Sequence, residues 1–340
     1  MDDMILEFQN YLFTSEHLMH AIAALIIVSV LGIIRGGIGG NANPFYWNLI
    51  DFGFGKLGDK MNKQGRPKGD LIFRGFVLMA FVAGISFVIG KALEILGEQY
   101  SYWSIIEIGA LCLVLSSGAV FAAMGRLYKA LNQKKVTAGA YYTIARSTQT
   151  DLSKNDDYTI TRVGMGYVLK SFDKAVVAPI IWYLIFGLAG AYIYAALAAL
   201  AWRFGKDGHS GGFGQAMMAL EKLLGFVPNI VSGVLICLAA LLTPTAGMTR
   251  AFLGLMRPSG RAKYEEGGLP LTAAAYALNT SLGGPTPDLK GYVVPRGWIG
   301  PKGATAQLES KHLHRVAYIS FIAHLLWLVG LSAALLFAGT

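Results

Sequence analysis

The sequence ARSTQTDLSKNDDYTITRVGMGYVLKSFDKAVVAPIIW, residues 145–182, passes from a polar segment into a long apolar one. The polar part carries charges of both signs, and it meets the apolar part at Val177-Ala178-Pro179. A membrane enzyme can bring water-soluble reactants to its surface where such a polar segment enters the bilayer. We therefore expect a membrane protein with a functional site close to this boundary.

The composition supports a membrane location. Of the 340 residues, 54% are hydrophobic and 14% are charged, and the mean hydropathy is +0.49. Soluble domains carry about 25% charged residues. Cys112 and Cys237 both lie in apolar runs, which favours small buried side chains over a disulfide or a metal pair.

Six apolar segments approach the ~20 residues that an α-helix needs to cross a bilayer. They are 17–34, 71–90, 103–124, 175–202, 227–248 and 316–337. The acidic flank MDDMILEFQN before the first segment is unlike the basic start of a cleaved signal peptide. The sequence therefore predicts an all-α polytopic helix bundle that forms a single membrane domain, residues 1–340.

Lysine and arginine are distributed unevenly between the connections. The first, third and fifth connections hold 23 of these residues, whereas the N-terminus and the second and fourth connections together hold four. The positive-inside rule then predicts an N-terminus outside and basic cytoplasmic connections at 125–174 and 249–314. Because the positive charge follows the topology and forms no single block, we expect membrane lipids as partners and no nucleic acid.

The fourth segment is longer than a single span needs, and Gly187-Leu188-Ala189-Gly190 lies near its middle. It is either one tilted helix or two half-helices broken at the glycines, as at a site in the membrane midplane. The second arrangement would reverse the predicted sidedness of the connection 203–226.

Two ionisable residues stand in or beside apolar segments. Asp173, at the membrane entrance, suits either a magnesium ligand of a phosphoryl-transfer site or a favourable charge in the first turn of a helix. His324 lies within the sixth segment, where an ionisable side chain is a functional candidate, for example in a transporter. A neutral histidine that hydrogen-bonds across the bundle is the alternative.

Four short motifs follow one another along the chain. They are 146–152, 173–182, Phe213-Gly214 with Phe226-Val227-Pro228, and Leu282-Gly283-Gly284-Pro285. Their order, with membrane segments between them, resembles that of the CobD/CbiB family. These are the membrane adenosylcobinamide-phosphate synthases of cobalamin biosynthesis, and the resemblance covers roughly residues 43–300.

The resemblance implies a multi-pass protein of the bacterial inner membrane that joins a corrinoid substrate, adenosylcobyric acid, to an aminopropanol phosphate. ATP and Mg²⁺ would be its cofactors, and the metal ligands are not identified by the sequence. By resemblance, Asp173 and Glu221 would be the catalytic carboxylates. The substrate and its phosphate groups would meet Arg146, Thr148, Lys170, Lys174, Gly283, Gly284 and Pro285.

The sequence departs from the family pattern at several polar positions. The family's Asn-Thr-Leu-Asp falls on Ala198-Ala199-Leu200-Ala201, and its Pro-Glu falls on Pro270-Leu271. The glutamate that precedes Ala-Pro in the family is not kept. These replacements motivate a second hypothesis, in which the chain is a catalytically divergent paralogue that acts as a membrane scaffold and binds partner proteins.

Overall fold

The computed structural model describes residues 15–63, 65–99, 103–136, 139–206, 211–289 and 292–338. The predicted orientation of the N-terminus concerns residues 1–14, which lie outside the described residues, and it stays a prediction.

Helices make up most of the described chain, which confirms the predicted all-α class. They are α1 (Ser15–Arg35), α2 (Phe45–Ile50), α3 (Lys56–Met61), α4 (Lys68–Glu98), α5 (Trp103–Val114), α6 (Gly118–Asn132), α7 (Tyr142–Thr148), α8 (Asp157–Phe172), α9 (Ala178–Phe204), α10 (Gln215–Leu224), α11 (Phe226–Leu241), α12 (Met248–Met256), α13 (Gly268–Leu278) and α14 (Ser310–Ala338). Two π-helical turns, Asp51–Gly55 and Asp173–Val177, join α2 to α3 and α8 to α9.

Four stretches of helix are long and apolar enough to cross a membrane, namely α1, α4, the continuous α8–α9 stretch and α14. The pairs α5–α6 and α10–α11 are bent by 40° and 59°, and each pair adds a span if it is counted as one. The chain is therefore a multi-pass membrane protein, and α1, α4 and α14 contain the first, second and sixth predicted segments.

Helices α1 and α6 approach each other closely because glycines stand at their contact. A Cβ atom on Gly32 would collide with the backbone of Gly118 and Ala119, and one on Gly118 would collide with the backbone of Ser29 and Ile33. Small residues allow this backbone-to-backbone packing between membrane helices. The side chains of Ser29 and Ser117 hydrogen-bond beside the contact, at 3.1 Å.

Helix α8 begins at a cap that the sequence encodes locally. The Asp156 side chain accepts a hydrogen bond of 2.9 Å from the backbone N–H of Thr159, which satisfies one of the free donors at the helix start. Hydrogen bonds from Thr159, from its side chain first and from its backbone N–H second, hold the pKa of the Asp156 carboxyl below its usual range. The polar segment that precedes the fourth apolar segment is thus already helical, and the helix begins 18 residues before the predicted start of that segment.

The α8–α9 stretch reverses direction at Phe186 and Gly187, whose backbone angles are not helical. A Cβ atom on Gly190 would lie 2.5 Å from the carbonyl oxygen of Trp182, whereas residues eight apart in a straight helix are about 12 Å apart. Of the two arrangements open for the fourth segment, the structure therefore has the broken one. We call residues 157–204 the central hairpin, with a first arm before Gly187 and a second arm after it.

The Gly- and Pro-rich segment 281–303 forms two short antiparallel strand pairs instead of helix, as its composition predicts. Strand β1 (Leu282–Gly283) pairs with β4 (Trp298–Ile299), and β2 (Thr286–Pro287) pairs with β3 (Val293–Val294). This segment covers one side of the cavity described below.

Candidate functional site

A cavity of about 680 Å³ lies between the two arms of the central hairpin. The first arm contributes side chains from Arg162 to Ala175, and the second contributes Ala198, Ala201 and Trp202. Six basic and three acidic residues stand in its lining. They are Arg162, Lys170, Lys174, Lys206, Lys263 and Arg296, with Glu221, Glu265 and Glu266.

The fourth connection, whose sidedness the sequence left open, lies on the same side as the third and the fifth. Lys206 and Gly211 of this connection line the same cavity as Thr148 and Gly283, which belong to the third and fifth connections. The physical reason is the reversal at Gly187, which returns the chain to the level at which the hairpin begins. The motif segments that a simple six-span count separates are therefore brought together.

Lys174 and Glu221 form a buried ion pair at the wall of the cavity. The Lys174 Nζ atom lies 2.5 Å from Oε1 of Glu221, and the two side chains are 6% and 2% exposed. The Tyr264 hydroxyl donates to the same Glu221 oxygen at 2.8 Å, and the Lys174 ammonium lies 4.2 Å from the Tyr264 ring centre. Burial and the Glu221 charge raise the pKa of Tyr264 well above its usual range, so the phenol stays a hydrogen-bond donor.

Asp173 stands next to Lys174 in the π-helical turn but is not part of the cavity lining. Its carboxylate accepts hydrogen bonds from Asn229 Nδ2 at 2.6 Å and Ser232 Oγ at 2.9 Å, both on α11. Two such bonds satisfy a carboxylate that is 1% exposed. We therefore assign Asp173 to the contact between the hairpin and α11, and of the two predicted catalytic carboxylates we keep Glu221.

Lys170 and Arg162 present positive charge to the cavity from the first arm. Lys170 Nζ donates a hydrogen bond of 3.0 Å to the backbone carbonyl of Glu265. This bond does not neutralise the lysine charge, because its acceptor is not a carboxylate. Arg162 is buried, its Nη2 donates to the carbonyl of Pro285 at 3.1 Å, and its Nε has no partner among the described residues. A buried guanidinium with a free donor is suited to an anionic ligand.

The backbone conformation at positions 283 and 284 favours glycine. Both have positive φ, +74° and +73°, which side-chain-bearing residues rarely adopt. A Cβ atom on Gly284 would lie 2.8 Å from Arg162 Nη1 and 3.0 Å from the Trp298 ring. Gly284 therefore leaves room for Arg162, whose guanidinium lies 4.6 Å from the Trp298 ring centre, while Gly283 packs on the carbonyl of Gly297.

The two residues predicted from the 146–152 motif lie in different places. Thr148 lines the cavity, although its hydroxyl donates to the Ile144 carbonyl of its own helix at 2.8 Å. Arg146 is exposed, does not line the cavity, and donates to the Gly39 carbonyl at 2.7 Å. The structure therefore brings together Thr148, Lys170, Lys174, Glu221 and Gly283, with Gly284 and Pro285 adjacent, and leaves Arg146 outside.

Three positions at which the sequence departs from the family pattern also line this cavity. They are Ala198 and Ala201 on the second arm and Leu271 on α13. Carboxylate-bearing or polar side chains at these positions would point at the same space as Lys170 and Lys174. The cavity is therefore the common site of the motif segments, and it lacks side-chain oxygen at three of its wall positions.

Whether Mg²⁺ fits this cavity depends on how many carboxylates line it and how they are arranged. Within the described ranges, no group of three or more His, Cys, Asp and Glu side chains is arranged to hold a metal ion. Magnesium bound to a nucleotide needs only one or two carboxylates, because phosphates and water supply the other ligands. Glu265 and Glu266 line the cavity beside the basic residues and suit that role.

His324 lies apart from the cavity, packed between Phe172 and Phe121 at ring-centre distances of 4.6 and 5.1 Å. Its Nδ1 atom lies 2.7 Å from the Ser320 carbonyl of its own helix. This hydrogen bond lies within α14, so Nδ1 does not make the hydrogen bond to another helix of the bundle that was one of the two predicted alternatives. Nε2 has no partner among the described residues.

No role was predicted from the sequence for five residues that line the cavity, namely Arg162, Lys263, Glu265, Glu266 and Arg296. One signal could have found Arg162, since it stands eight residues before Lys170, a spacing that places both side chains on the same side of a helix. The others stand in the fifth connection, where Lys263, Glu265 and Glu266 precede α13 and Arg296 follows strand β3. Their positions depend on how this long connection folds.

A family model described as CobD/Cbib protein matches residues 51–319. Similar curated proteins include the cobalamin biosynthesis proteins CobD of Rhizobium meliloti and Clostridium acetobutylicum. They are 23% and 24% identical over 77% and 84% of this chain, and over 83% and 91% of their own lengths. A probable CobD of Methanothermobacter thermautotrophicus is 30% identical over 39% of this chain and 44% of that protein. No solved structure matches the sequence.

Proposed function

Because the chain belongs to the CobD/CbiB protein family, we propose that it acts in cobalamin biosynthesis as an adenosylcobinamide-phosphate synthase. The observation that carries the proposal is the convergence of the motif segments on one cavity with six basic side chains. In this proposal the protein lies in the bacterial inner membrane with its N-terminus outside, and the cavity opens toward the cytoplasm, where nucleotides are found.

The reaction joins the carboxylate of adenosylcobyric acid to the amine of an aminopropanol phosphate. The amine nitrogen forms the new bond to the carboxyl carbon. One carboxyl oxygen leaves with the phosphate that ATP supplies. The ammonium loses two protons on becoming the amide, of which one is carried by the released phosphate and the other goes to solution. The products are the amide, ADP and phosphate.

Positive side chains of the first arm would bind the phosphate groups of both ATP and the aminopropanol phosphate. Arg162 offers a planar donor set, Lys170 on the same arm offers a point charge, and Lys263, which precedes α13, offers another. Bound Mg²⁺ would neutralise phosphate charge, and Glu265 and Glu266 are the residues that would hold it.

Glu221 is the lining carboxylate with a fixed position. Its Oε1 atom is held by Lys174 and Tyr264, so the side chain needs no rearrangement when a substrate enters. We assign it to orienting the substrate ammonium and to accepting a proton as the amide forms. Lys174 then has a positioning role, because its ammonium is already committed to Glu221.

The second candidate function is a divergent paralogue that binds partner proteins as a membrane scaffold. Ala198, Ala201 and Leu271 favour it, because they place apolar side chains at cavity positions where the family pattern expects polar ones. A cavity that retains anion binding but lacks carboxylates could still bind a phosphate-bearing ligand without activating it.

Complementation separates the two functions. A strain that lacks its own adenosylcobinamide-phosphate synthase should recover cobalamin-dependent growth when it expresses this chain. Lys170→Met and Glu221→Gln should abolish growth, while Lys302→Met, an exposed lysine outside the cavity lining, should leave it unchanged. Absence of growth from a protein that is expressed and inserted would reject the synthase and leave the scaffold.

A further inference from the structure

A second cavity of about 570 Å³ lies at the reversal of the central hairpin. Four elements end or turn around it, since α1 and α5 begin there, α4 ends there, and the hairpin reverses there at Gly187. Ends of spanning helices lie at the membrane–water interface. The cavity is therefore an interfacial site, and it shares no lining residue with the basic cavity.

A buried carboxylate forms part of the wall of this cavity. Glu107 is 1% exposed, and its Oε1 accepts a hydrogen bond of 2.5 Å from Tyr183. Its Oε2 lies 3.0 Å from His20 Nδ1, but these two atoms are not in hydrogen-bonding geometry. No other described group donates a hydrogen bond to this oxygen. A buried carboxylate oxygen without a donor is costly unless a ligand satisfies it.

Aromatic side chains form one side of this cavity. Trp182 and Phe186 stack in parallel, with ring centres 5.7 Å apart and planes 8° from each other, and Phe87 completes this side. Phe186 and Phe87 are 59% and 47% exposed. Aromatic faces attract cations, and exposed aromatic side chains at the interface also suit the glycerol and acyl part of a lipid.

The net charge of the cavity lining favours a positively charged ligand. Glu94 and Glu107 are acidic, Lys91 is basic, and His17 is the remaining titratable group of the lining. Glu94 is already occupied, because it accepts hydrogen bonds from Lys91 Nζ at 2.6 Å and from the Ala189 N–H at 3.1 Å. The two carboxylates and the lysine of the lining leave one excess negative charge, which Glu107 supplies. His17 Nε2 and His20 Nδ1 lie 3.8 and 3.0 Å from its Oε1 and Oε2 atoms.

We propose that this cavity binds the primary ammonium group of an aminophospholipid headgroup, with the ammonium donating to Glu107 Oε2 beside the aromatic side chains. A primary ammonium offers N–H donors that a trimethylammonium lacks. The site is independent of the proposed synthase reaction, and its function would be to fix the reversal of the hairpin by ordering lipid against it.

Lipid competition tests the proposal. The full chain is reconstituted in nanodiscs that contain equal amounts of phosphatidylethanolamine and phosphatidylcholine, and the lipids retained after transfer to detergent are measured by native mass spectrometry. We expect about tenfold preference for phosphatidylethanolamine, the size of one charge-assisted hydrogen bond. Equal retention of the two lipids would overturn the proposal.

Variants localise the effect. Glu107→Gln should remove the preference between the two lipids, and Phe186→Ala should weaken retention of both without touching the buried polar cluster. Phe73→Ala removes an aromatic ring that is 65% exposed on the same helix as Phe87 but outside the cavity, and it should retain the wild-type preference. A preference for phosphatidylethanolamine that survives Glu107→Gln would overturn the proposal.

A soluble amine separates lipid from free ligand. Ethanolamine added to delipidated protein supplies the same ammonium without acyl chains. Thermal stabilisation by phosphatidylethanolamine but not by ethanolamine at equal concentration supports the lipid assignment. Equal stabilisation by both would overturn the lipid assignment and leave a site for small amines.

Discussion

The central hairpin and α14 are almost equally apolar, yet they have opposite surroundings. Their most apolar windows have mean hydropathies of 2.0 and 2.2, but 67% of the residues in the hairpin window are buried within the protein, against 11% for α14. Both sequences are apolar enough to lie as helices in the hydrocarbon core of a bilayer. What differs is the partner, which is protein for the hairpin and lipid for most of α14.

The difference follows from the residues that allow close approach. Gly90 of α4 packs directly on the backbone of Ala189, and Gly190 packs on the carbonyl of Trp182. Helix α14 instead presents large side chains outward, and Val329, Leu336 and Phe337 are more than half exposed. The buried helix can then carry charged residues such as Lys174, because protein groups supply their partners.

The largest effect is expected from Lys174→Met in the hairpin. This change leaves the Glu221 carboxylate buried without its counter-ion, which costs about 3 to 5 kcal/mol of unfolding free energy. Denaturant unfolding in detergent measures the loss. The double variant Lys174→Met with Glu221→Leu should recover most of the stability but no activity, and a double variant as unstable as the single one would contradict the pairing.

A smaller loss is expected from Gly187→Val at the reversal. Gly187 has φ +63° and ψ −156°, a conformation that is essentially restricted to glycine, and its added side chain would meet the Glu94 carboxylate. The expected cost is about 3 kcal/mol. The matched control is Gly330→Ala in α14, where a Cβ atom would meet nothing within 4 Å; equal effects at the two glycines would refute the hairpin.

Gly284→Ala should cost about 1 to 2 kcal/mol through its positive φ. Because the new methyl group would displace Arg162, affinity for the phosphate-bearing substrate should fall by more than the loss of stability explains. Substrate binding and thermal unfolding are measured on the same preparation. Unchanged affinity in a folded variant would remove Arg162 from the proposed phosphate site.

The smallest effect is expected from Val329→Ala on α14. Its side chain is 64% exposed toward the lipid, so the change should alter the unfolding free energy by less than about 0.5 kcal/mol. Detergent unfolding against the wild-type chain provides the measurement. A loss above about 1 kcal/mol would indicate that α14 is covered by protein in the membrane.

The sequence predicted part of the candidate site. Lys170, Lys174 and Glu221 were identified through the family resemblance, and they meet at one cavity. Asp173 and Arg146 belong to the same motifs but lie outside the lining. Neighbouring residues on a helix face different directions, so a motif identifies a region of the site more reliably than each side chain within it.

The sequence by itself determined that this chain is a multi-pass helical membrane protein of the CobD/CbiB family. Long apolar runs must satisfy their backbone hydrogen bonds within a helix in lipid, and this requirement is local in the sequence. Only the tertiary structure decided that the chain reverses at Gly187 and that Lys174 pairs with Glu221. The reason is that both depend on contacts between residues far apart in the sequence, and hydropathy does not distinguish a protein neighbour from lipid.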